Sequence, residues 1–444
     1  MTIPQKLTIP WLREKYLEKA LTPREVITVI IARANTYADK NIYITPPTMD
    51  QLKRYLNLLD TIDMEAHPLW GIPFTVKDNI DVEGYETTAA CPSFAFAPKQ
   101  NAGVVQRLVD AGGIPVGKAN LDQFATGLVG TRSPYGPVHN ALQDELISGG
   151  SSSGSAVSVA LGISAFSLGT DTAGSGRVPA ALNGLFGFKP SCGAWPTKGV
   201  VPACASLDCV TVFAHTMEDC LTVDASVRGL LENDPWSKDV AKVSAKAPEK
   251  VLLPNKQPEV YGPFADAYQN AWEKAVTTIE KSGMPVERVD ISIFEQAAAI
   301  LYDGPWIAER YADLGDFVNS HPGKVFLVTE KILGSGGNLD AAELFKAIHK
   351  LQAMKCSVRQ LLKNAVLVMP TAGGTWSIKE VEANPVETNS LMGKYTNHCN
   401  LLDLCACSIP MAPAAEQLPF GITAFALSGK EGLITGFSDN LQKQ

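Results

Sequence analysis

The chain of 444 residues carries a formal net charge of −8, with 45% hydrophobic and only 19% charged residues. The low charged fraction predicts a large buried core, and the acidic balance argues against a nucleic-acid surface. No apolar run reaches the roughly 18 to 20 residues of a membrane span, which excludes a membrane-spanning protein. The first residues lack the basic and apolar regions of a signal peptide, so we expect a cytoplasmic protein.

Helix and strand signals alternate along the chain and predict an α/β fold. Thr22, Pro23 and Glu25 form the capping signature of a helix. The segment 71–79 predicts a short strand that ends in a polar turn, with Lys77 at the strand end. The further predicted elements are helices over 104–111, 264–281 and 339–363, and strands over 114–117, 251–253 and 366–370.

Residues 146–170 contain no charge and are rich in Gly, Ser and Ala. Such a composition is typical of a flexible linker. Here aliphatic residues are interleaved with the serines, which predicts a tightly packed interior helix instead.

The nine cysteines and six histidines predict neither a disulfide scaffold nor a metal site. The number of cysteines is odd, and the histidines form no HExxH motif and no pair at i, i+4. Cys405 and Cys407 lie in the apolar run 401–410, which predicts buried free thiols rather than zinc ligands. We therefore expect no metal.

Two small-residue loops, 148–155 and 169–177, bracket the predicted helix and suggest three kinds of chemistry. Glycine-rich loops can bind phosphates, but neither GxxxxGK[ST] nor a GxGxxG between strand and helix is present. Residues 150–154 fit the GxSxG elbow of α/β-hydrolases, yet that motif needs a buried strand before it, and 139–147 is polar. The third chemistry is acyl transfer by a serine whose base is not histidine.

Ser175 fits this third chemistry because the N–H groups of a tight small-residue turn can converge on one oxyanion. We expect that turn to use the backbone N–H groups of Thr172, Ala173, Gly174 and Ser175. Lys77 is the candidate base, and it can act only when neutral, which burial among uncharged groups favours. Asp171 and Arg177 flank the nucleophile and are interpreted as an internal ion pair that fixes the loop.

The stretch 149–190, which begins GGSSSGSAVSVALGISAF, and the segment GIPFTVKDN at 71–79 resemble the amidase signature family. The resemblance covers most of the chain and implies an α/β fold with a mixed central β-sheet covered by helices on both faces. It also implies a catalytic unit made of Lys77 as base, Ser151 as a bridging serine with a cis peptide bond, and Ser175 as nucleophile.

Within the family, the segments GTDTAGSGRVPA at 169–180 and YDGPWIAER at 302–310 are most similar to allophanate hydrolases. In that subgroup a Tyr, an Arg and a loop Gly contact the substrate, which implies Tyr302, Arg310 and Gly127. Allophanate is a urea that bears a carboxylate, and a guanidinium matches a carboxylate in a bidentate manner. The alternative for Arg310 is a solvated helix charge paired with Asp313.

The resemblance implies hydrolysis of allophanate to ammonia and N-carboxycarbamate in urea degradation, without a cofactor. The alternatives are a general amidase, a carboxybiuret hydrolase and the glutaminase subunit of a tRNA-dependent amidotransferase. That subunit usually has Gly and Ile where this chain has Ala173 and Gly176. A catalytically silent structural partner is a further alternative, against which the intact Lys77, Ser151 and Ser175 argue.

We expect a single amidase domain over 1–444, with N-terminal helices over about 1–60, a serine-rich catalytic core over about 70–220 and a surface excursion over about 232–263. We also expect the C-terminal domain of many allophanate hydrolases to be absent. The resemblance further implies a homodimer and a functional link to urea carboxylase. The expected partner is a small-molecule substrate, not a nucleic acid or a membrane.

Overall fold

The computed structural model describes residues 2–302 and 304–443, apart from the side chain of Tyr302. Eleven strands form one mixed sheet in this part of the chain. The strands are β1 (Tyr43–Thr45), β2 (Pro73–Lys77), β3 (Ile114–Ala119), β4 (Phe166–Asp171), β5 (Phe186–Lys189), β6 (Cys209–Ala214), β7 (Lys250–Pro254), β8 (Val286–Val289), β9 (Ala365–Pro370), β10 (Leu404–Pro410) and β11 (Gly421–Leu427). Their spatial order is β1-β3-β2-β4-β6-β5-β10-β11-β9-β7-β8.

The helices surround this sheet. They are α1 (Ile9–Leu17), α2 (Pro23–Thr36), α3 (Met49–Leu58), α4 (Gly103–Asp110), α5 (Ser153–Ala160), α6 (Val178–Leu182), α7 (Met217–Val227), α8 (Ala265–Lys281), α9 (Ser292–Tyr302), α10 (Ile307–Ser320), α11 (Leu327–Gly334), α12 (Ala341–Leu361), α13 (Ile378–Ala383), α14 (Glu387–Met392), α15 (His398–Leu401) and α16 (Glu431–Gln442). Among the described helices, none combines the length and the apolar character needed to cross a membrane.

The sheet buries both of its faces. In β9, Val366 and Val368 join the core that contains α8 and α16, whereas Leu367 and Met369 join the core that contains α9 and α12. Successive side chains of a strand point to opposite faces, so this alternation requires a layer of helices on each side. The mixed central sheet with helices on both faces is therefore confirmed.

Most of the predicted elements are present with small shifts at their ends. The helix that follows Thr22 begins with a complete capping box and runs to Thr36. The charge-free tract contains α5, of which only Ala160 is not fully buried, so the interior helix is confirmed and the linker alternative is wrong. Cys405 and Cys407 are buried in β10, as expected.

The region around 232–263 contains more than a surface excursion. β7 lies between β9 and β8 inside the sheet, and Val251, Leu252 and Leu253 are fully buried. The strand predicted over 251–253 is thus present as β7, next to the edge strand β8. The division of the chain into one domain stays a prediction.

Three neighbouring parallel strands position the candidate functional side chains. β2 pairs with β3 on one side and with β4 on the other, both in parallel, so the carboxyl ends of these strands meet at one edge of the sheet. Lys77 ends β2 and Asp171 ends β4. Polar residues at such strand ends lie next to each other because parallel strands share a direction.

Candidate active site

Lys77 is the centre of a buried hydroxyl cluster. Its Nζ donates hydrogen bonds to Ser151 Oγ over 2.8 Å and to Thr170 Oγ1 over 2.7 Å, and its side chain is fully buried. Both partners are uncharged, so Lys77 lies in a setting that does not stabilise an ammonium ion by direct ion pairing.

The pKa of Lys77 falls from the ordinary value of 10.5 to about 7, because burial disfavours its charged form. The carboxylates of Asp122, Asp208 and Asp171 oppose this shift but do not overcome it. A lysine with such a pKa is neutral in a large fraction of molecules at neutral pH and can accept a proton.

The peptide bond before Ser151 and the carbonyl of Ser151 itself fix the position of this residue. The Gly150–Ser151 peptide bond is cis, as the family resemblance implies, and the Ser151 carbonyl accepts a hydrogen bond from the Asp122 amide at 3.1 Å. A Cβ atom at Gly150 would lie 2.0 Å from Asp122 Oδ2, so only glycine fits before this serine. Ser151 itself is fully buried.

Ser175 is buried in the loop after β4 and is 4% exposed. Its Oγ donates to the carbonyl of Gly127 over 3.5 Å rather than to Ser151. The structure thus links Lys77 to Ser151 and Ser175 to Gly127 by direct hydrogen bonds.

The loop 169–177, which contains Ser175 and is called the nucleophile loop below, differs in one respect from the predicted oxyanion hole. The Gly174 amide donates to Asp171 Oδ1 over 2.8 Å, and the Gly176 amide donates to Oδ2 over 3.0 Å. The N–H group of Gly174 is therefore already used inside the loop and is not available to an oxyanion. The amides of Thr172, Ala173 and Ser175 donate to no other atom of the described protein and remain the candidates.

Asp171 and Arg177 form the predicted internal ion pair. Arg177 donates to Asp171 from Nε at 2.9 Å and from Nη2 at 3.0 Å, and both side chains are fully buried. Burial raises the pKa of the Asp171 carboxyl, but the neighbouring Arg177 outweighs this and lowers it below the ordinary value. Arg177 also donates to the carbonyl of Thr396, so the pair fixes the loop against the segment before α15.

Arg310 lies in the first half of α10 and is only 1% exposed, so the alternative of a solvated helix charge is wrong. Its Nη1 donates to Thr126 Oγ1 over 2.9 Å. Thr126 immediately precedes Gly127, whose carbonyl accepts the hydrogen bond from Ser175. Arg310 is therefore linked through two adjacent residues to the candidate nucleophile. The side chain of Tyr302, the other predicted substrate contact, lies outside the described residues.

Asp208 connects the nucleophile loop to the segment 203–204, and the sequence did not predict this role. Its carboxylate accepts hydrogen bonds from Thr172 Oγ1 and from the amides of Ala203 and Cys204. Burial raises its pKa, while these hydrogen bonds and the nearby charge of Arg310 counteract that effect. No sequence signal marks Asp208 as a partner of Thr172, because the two residues meet only through the pairing of β4 with β6.

Thr170 was also missed, although a signal existed for it. Thr170 is the next-to-last residue of β4. Because β4 runs parallel to β2, this position lies beside Lys77 at the end of β2.

Among the described residues, no group of three or more His, Cys, Asp or Glu side chains is arranged to hold a metal ion.

Replacing Gly174 by alanine is expected to destabilise the fold by about 2 kcal/mol or more and to lower activity. Its φ is +139°, and a Cβ atom would lie 2.3 Å from Thr396 Oγ1. Gly229→Ala is the matched control, because Gly229 has φ +118° with no atom within 4 Å of the added Cβ. Thermal unfolding of both variants separates backbone strain from collision, and equal losses of stability would refute the contact with Thr396.

Several known proteins are similar to this chain. The urea amidolyase of Saccharomyces cerevisiae is 41% identical over 394 residues, which cover 86% of this chain and 21% of that protein. The urea amidolyase of Lachancea kluyveri is 43% identical over 364 residues, or 80% of this chain and 20% of that protein. The chain thus spans about a fifth of the length of the urea amidolyases that it matches.

A solved structure of the Kluyveromyces lactis allophanate hydrolase aligns with a TM-score of 0.90 at 37% identity, covering 98% of this chain and 72% of that one. The resemblance stated from the sequence is therefore confirmed, and so is the predicted fold. The family model described as Amidase matches residues 25–434. Because this match spans nearly the whole sequence and the fold agrees, the chain belongs to the amidase family.

Proposed function

We propose that this chain hydrolyses the amide C–N bond of allophanate, releasing ammonia, through a Ser175-Ser151-Lys77 relay. The observation that carries the proposal is the fully buried Lys77, with its Nζ 2.8 Å from Ser151 Oγ and a pKa lowered by burial to about 7. This is the arrangement that a serine nucleophile needs when its base is a lysine. The named relatives, a urea amidolyase and an allophanate hydrolase, support the choice of substrate.

In the first half of the reaction, neutral Lys77 accepts a proton from Ser151 while Ser151 accepts one from Ser175. Ser175 Oγ attacks the carbamoyl carbon, and the C–N bond to the terminal amine breaks. The proton returns through Ser151 to the leaving nitrogen, which departs as ammonia. A covalent acyl-enzyme with Ser175 remains.

In the second half, water attacks the acyl-enzyme and loses a proton to the same relay. The ester bond to Ser175 breaks, and the product is N-carboxycarbamate, which then loses carbon dioxide. The negative charge of each tetrahedral intermediate lies near the amides of Thr172, Ala173 and Ser175, and one strong donor of this kind is worth about 3 to 4 kcal/mol. Asp171 holds the loop in place through the Gly174 and Gly176 amides.

Arg310 selects the carboxylate of the substrate. A planar guanidinium can bind a carboxylate through two parallel hydrogen bonds, which a neutral amide cannot provide. The hydrogen bond from Arg310 to Thr126 fixes the guanidinium beside Gly127 and hence near Ser175. Tyr302 is proposed to contact the same substrate.

This activity would serve urea degradation, and we propose a functional link to a urea carboxylase, which supplies the carboxylated urea. The urea amidolyases among the relatives act on urea by their name, which supports a role of this chain in urea degradation. The homodimer stays a prediction.

The test of the proposed function is ammonia release from allophanate compared with biuret, glutamine and acetamide. Biuret is the informative comparison because it replaces the carboxylate of allophanate by a neutral amide. We expect kcat/KM for allophanate to exceed that for biuret by about 100-fold, the value of a hydrogen-bonded charge. A preference for glutamine, or equal rates on allophanate and biuret, would contradict the proposal.

Replacing Arg310 by methionine is expected to raise KM for allophanate by about 100-fold, because a buried charge-assisted hydrogen bond is worth up to about 3 kcal/mol. The rate on biuret should change much less. Labelling of Ser175 by a fluorophosphonate probe controls for folding, since it requires an intact nucleophile but no carboxylate. An equal loss on both substrates would show that Arg310 has only a structural role.

A further inference from the structure

Two cysteines outside the relay lie close enough to react with each other. Cys209, the first residue of β6, donates a hydrogen bond to Cys192 Sγ over 3.4 Å, and both thiols are free. Cys192 follows β5 and is partly exposed, whereas Cys209 is 2% exposed. We propose that these two residues form a modification site at which a hydroperoxide converts the thiol pair into a disulfide and thereby slows the nucleophile.

The surroundings make Cys192 the reactive member of the pair. The hydrogen bond from Cys209 and the positive charge of Lys189 lower the pKa of Cys192 below its ordinary value, although burial opposes them. Lys189 is fully buried and donates to Cys209 Sγ over 3.5 Å. By contrast, burial raises the pKa of the Cys204 and Cys399 thiols. A partly exposed thiolate near positive charge is the form that oxidants attack.

The reaction balances in two steps. The Cys192 thiolate attacks the O–O bond of the hydroperoxide, an S–O bond forms, and the other oxygen leaves as the alcohol, or as water from hydrogen peroxide, after it takes up a proton. The Cys209 thiol then attacks the sulfenic acid sulfur, an S–S bond forms, and water leaves. Two thiols have lost two electrons to one hydroperoxide, and a thiol reductant reverses the change.

The thiol pair is joined to the nucleophile loop by short paths. In the ladder between β4 and β6, Cys209 is the partner of Asp171. In its thiol form, Cys192 donates from Sγ to the carbonyl of Leu207. The same carbonyl accepts a hydrogen bond from Asn400 Nδ2, which also donates to the carbonyl of Asp171. A shift of either cysteine therefore reaches the residue that organises the loop.

The size of that shift follows from bond lengths. Closing a disulfide brings two sulfur atoms to about 2.05 Å, so they move together by about 1.4 Å from their separation of 3.4 Å. A misplacement of about 1 Å at a catalytic group costs up to about 100-fold in rate. We expect fluorophosphonate labelling of Ser175 to be at least ten times slower in the oxidised protein. The other buried side chains around Ser175 should keep their positions.

The test treats the full chain with hydrogen peroxide and measures two quantities in parallel. Peptide mapping by mass spectrometry should find the 192 and 209 peptides joined, with a loss of about 2 Da. The rate of Ser175 labelling by a fluorophosphonate should fall in the same samples and recover with dithiothreitol. This labelling rests on Ser175 as the nucleophile of the proposed function but does not depend on which amide is the substrate. Labelling of the reduced protein tests the nucleophile, and the change of the labelling rate on oxidation tests the thiol pair.

Three variants make the assignment specific. Cys192→Ser should keep its labelling rate under peroxide, and Cys209→Ser should form no disulfide at Cys192. Cys356→Ser is the control, because Cys356 is an exposed cysteine on α12 and its loss should leave the response unchanged. The proposal is overturned if no bond between 192 and 209 forms, if the bond forms with an unchanged labelling rate, or if Cys192→Ser remains sensitive.

Discussion

Replacing Lys77 by methionine is expected to reduce kcat by about 1000-fold or more while leaving the chain at least as stable as before. The loss of activity follows because the relay from Ser175 through Ser151 has no acceptor for its proton without the Nζ atom, 2.8 Å from Ser151 Oγ. Methionine has a similar length and no charge, so it fills the buried space.

The difference in stability between Lys77→Met and the parent is expected to depend on pH. In the unfolded chain Lys77 keeps the ordinary pKa of 10.5, whereas in the fold its pKa is about 7. The unfolded state therefore binds more protons between these values, and the buried lysine costs about 5 kcal/mol below pH 7. The cost diminishes as the pH rises towards 10.5. Relative to the parent, Lys77→Met should gain most stability at pH 6 and progressively less at pH 8 and above, as measured by thermal unfolding.

Lys118 provides the matched control for this variant. It is as deeply buried as Lys77, but it pairs with Asp78 at 3.2 Å and donates to the Glu86 carbonyl. Removing one partner of a buried pair leaves the other charge uncompensated, at a cost of about 3 to 5 kcal/mol. Lys118→Met should therefore unfold more readily yet keep kcat within about tenfold. The same kcat loss in both lysine variants would mean that burial, not the relay, explains the effect of Lys77.

Replacing Ser175 by alanine is expected to lower kcat by about 10,000-fold or more and to abolish fluorophosphonate labelling. No covalent intermediate can form without its hydroxyl, which donates a hydrogen bond to the Gly127 carbonyl. Because the relay acts as one unit, the double variant Ser151→Ala with Ser175→Ala should lose no more activity than Ser175→Ala alone. Additive losses would indicate that the two serines act in separate steps.

Ser158→Ala is the control for the serine variants. Ser158 is a fully buried serine of α5 that donates to the carbonyl of Ser155 and has no contact with the relay. Its replacement should cost about 1 kcal/mol of stability and leave kcat nearly unchanged. A large loss of activity in this variant would show that any change in the serine-rich helix disturbs the site.

Much of the candidate site could be read from the sequence because its residues lie in continuous, unusual segments. The charge-free tract predicted an interior helix, and Lys77 stood at the end of a recognisable strand. The pair of Asp171 and Arg177 followed from their positions on either side of the nucleophile. These features depend on local patterns, which survive in a sequence without any knowledge of tertiary contacts.

The remaining features depend on contacts between distant segments. The use of the Gly174 amide by Asp171 is a property of the folded loop, so the sequence suggested one oxyanion donor too many. Asp208 meets Thr172 only through the pairing of β4 with β6. Arg310 looks like an ordinary helix charge in sequence, yet its burial against Thr126 appears only when α10 packs on the core.

The most direct test of the account is the pH dependence of kcat/KM for allophanate, which reports the ionisation of the free enzyme. Because the proposed relay needs a neutral Lys77, activity should rise with pH through a single midpoint near 7, the value to which burial lowers its pKa, and then level off. The rate of fluorophosphonate labelling of Ser175 should show the same midpoint. A midpoint near the ordinary lysine pKa of 10.5, or activity that does not change between pH 5 and 9, would contradict Lys77 as the base.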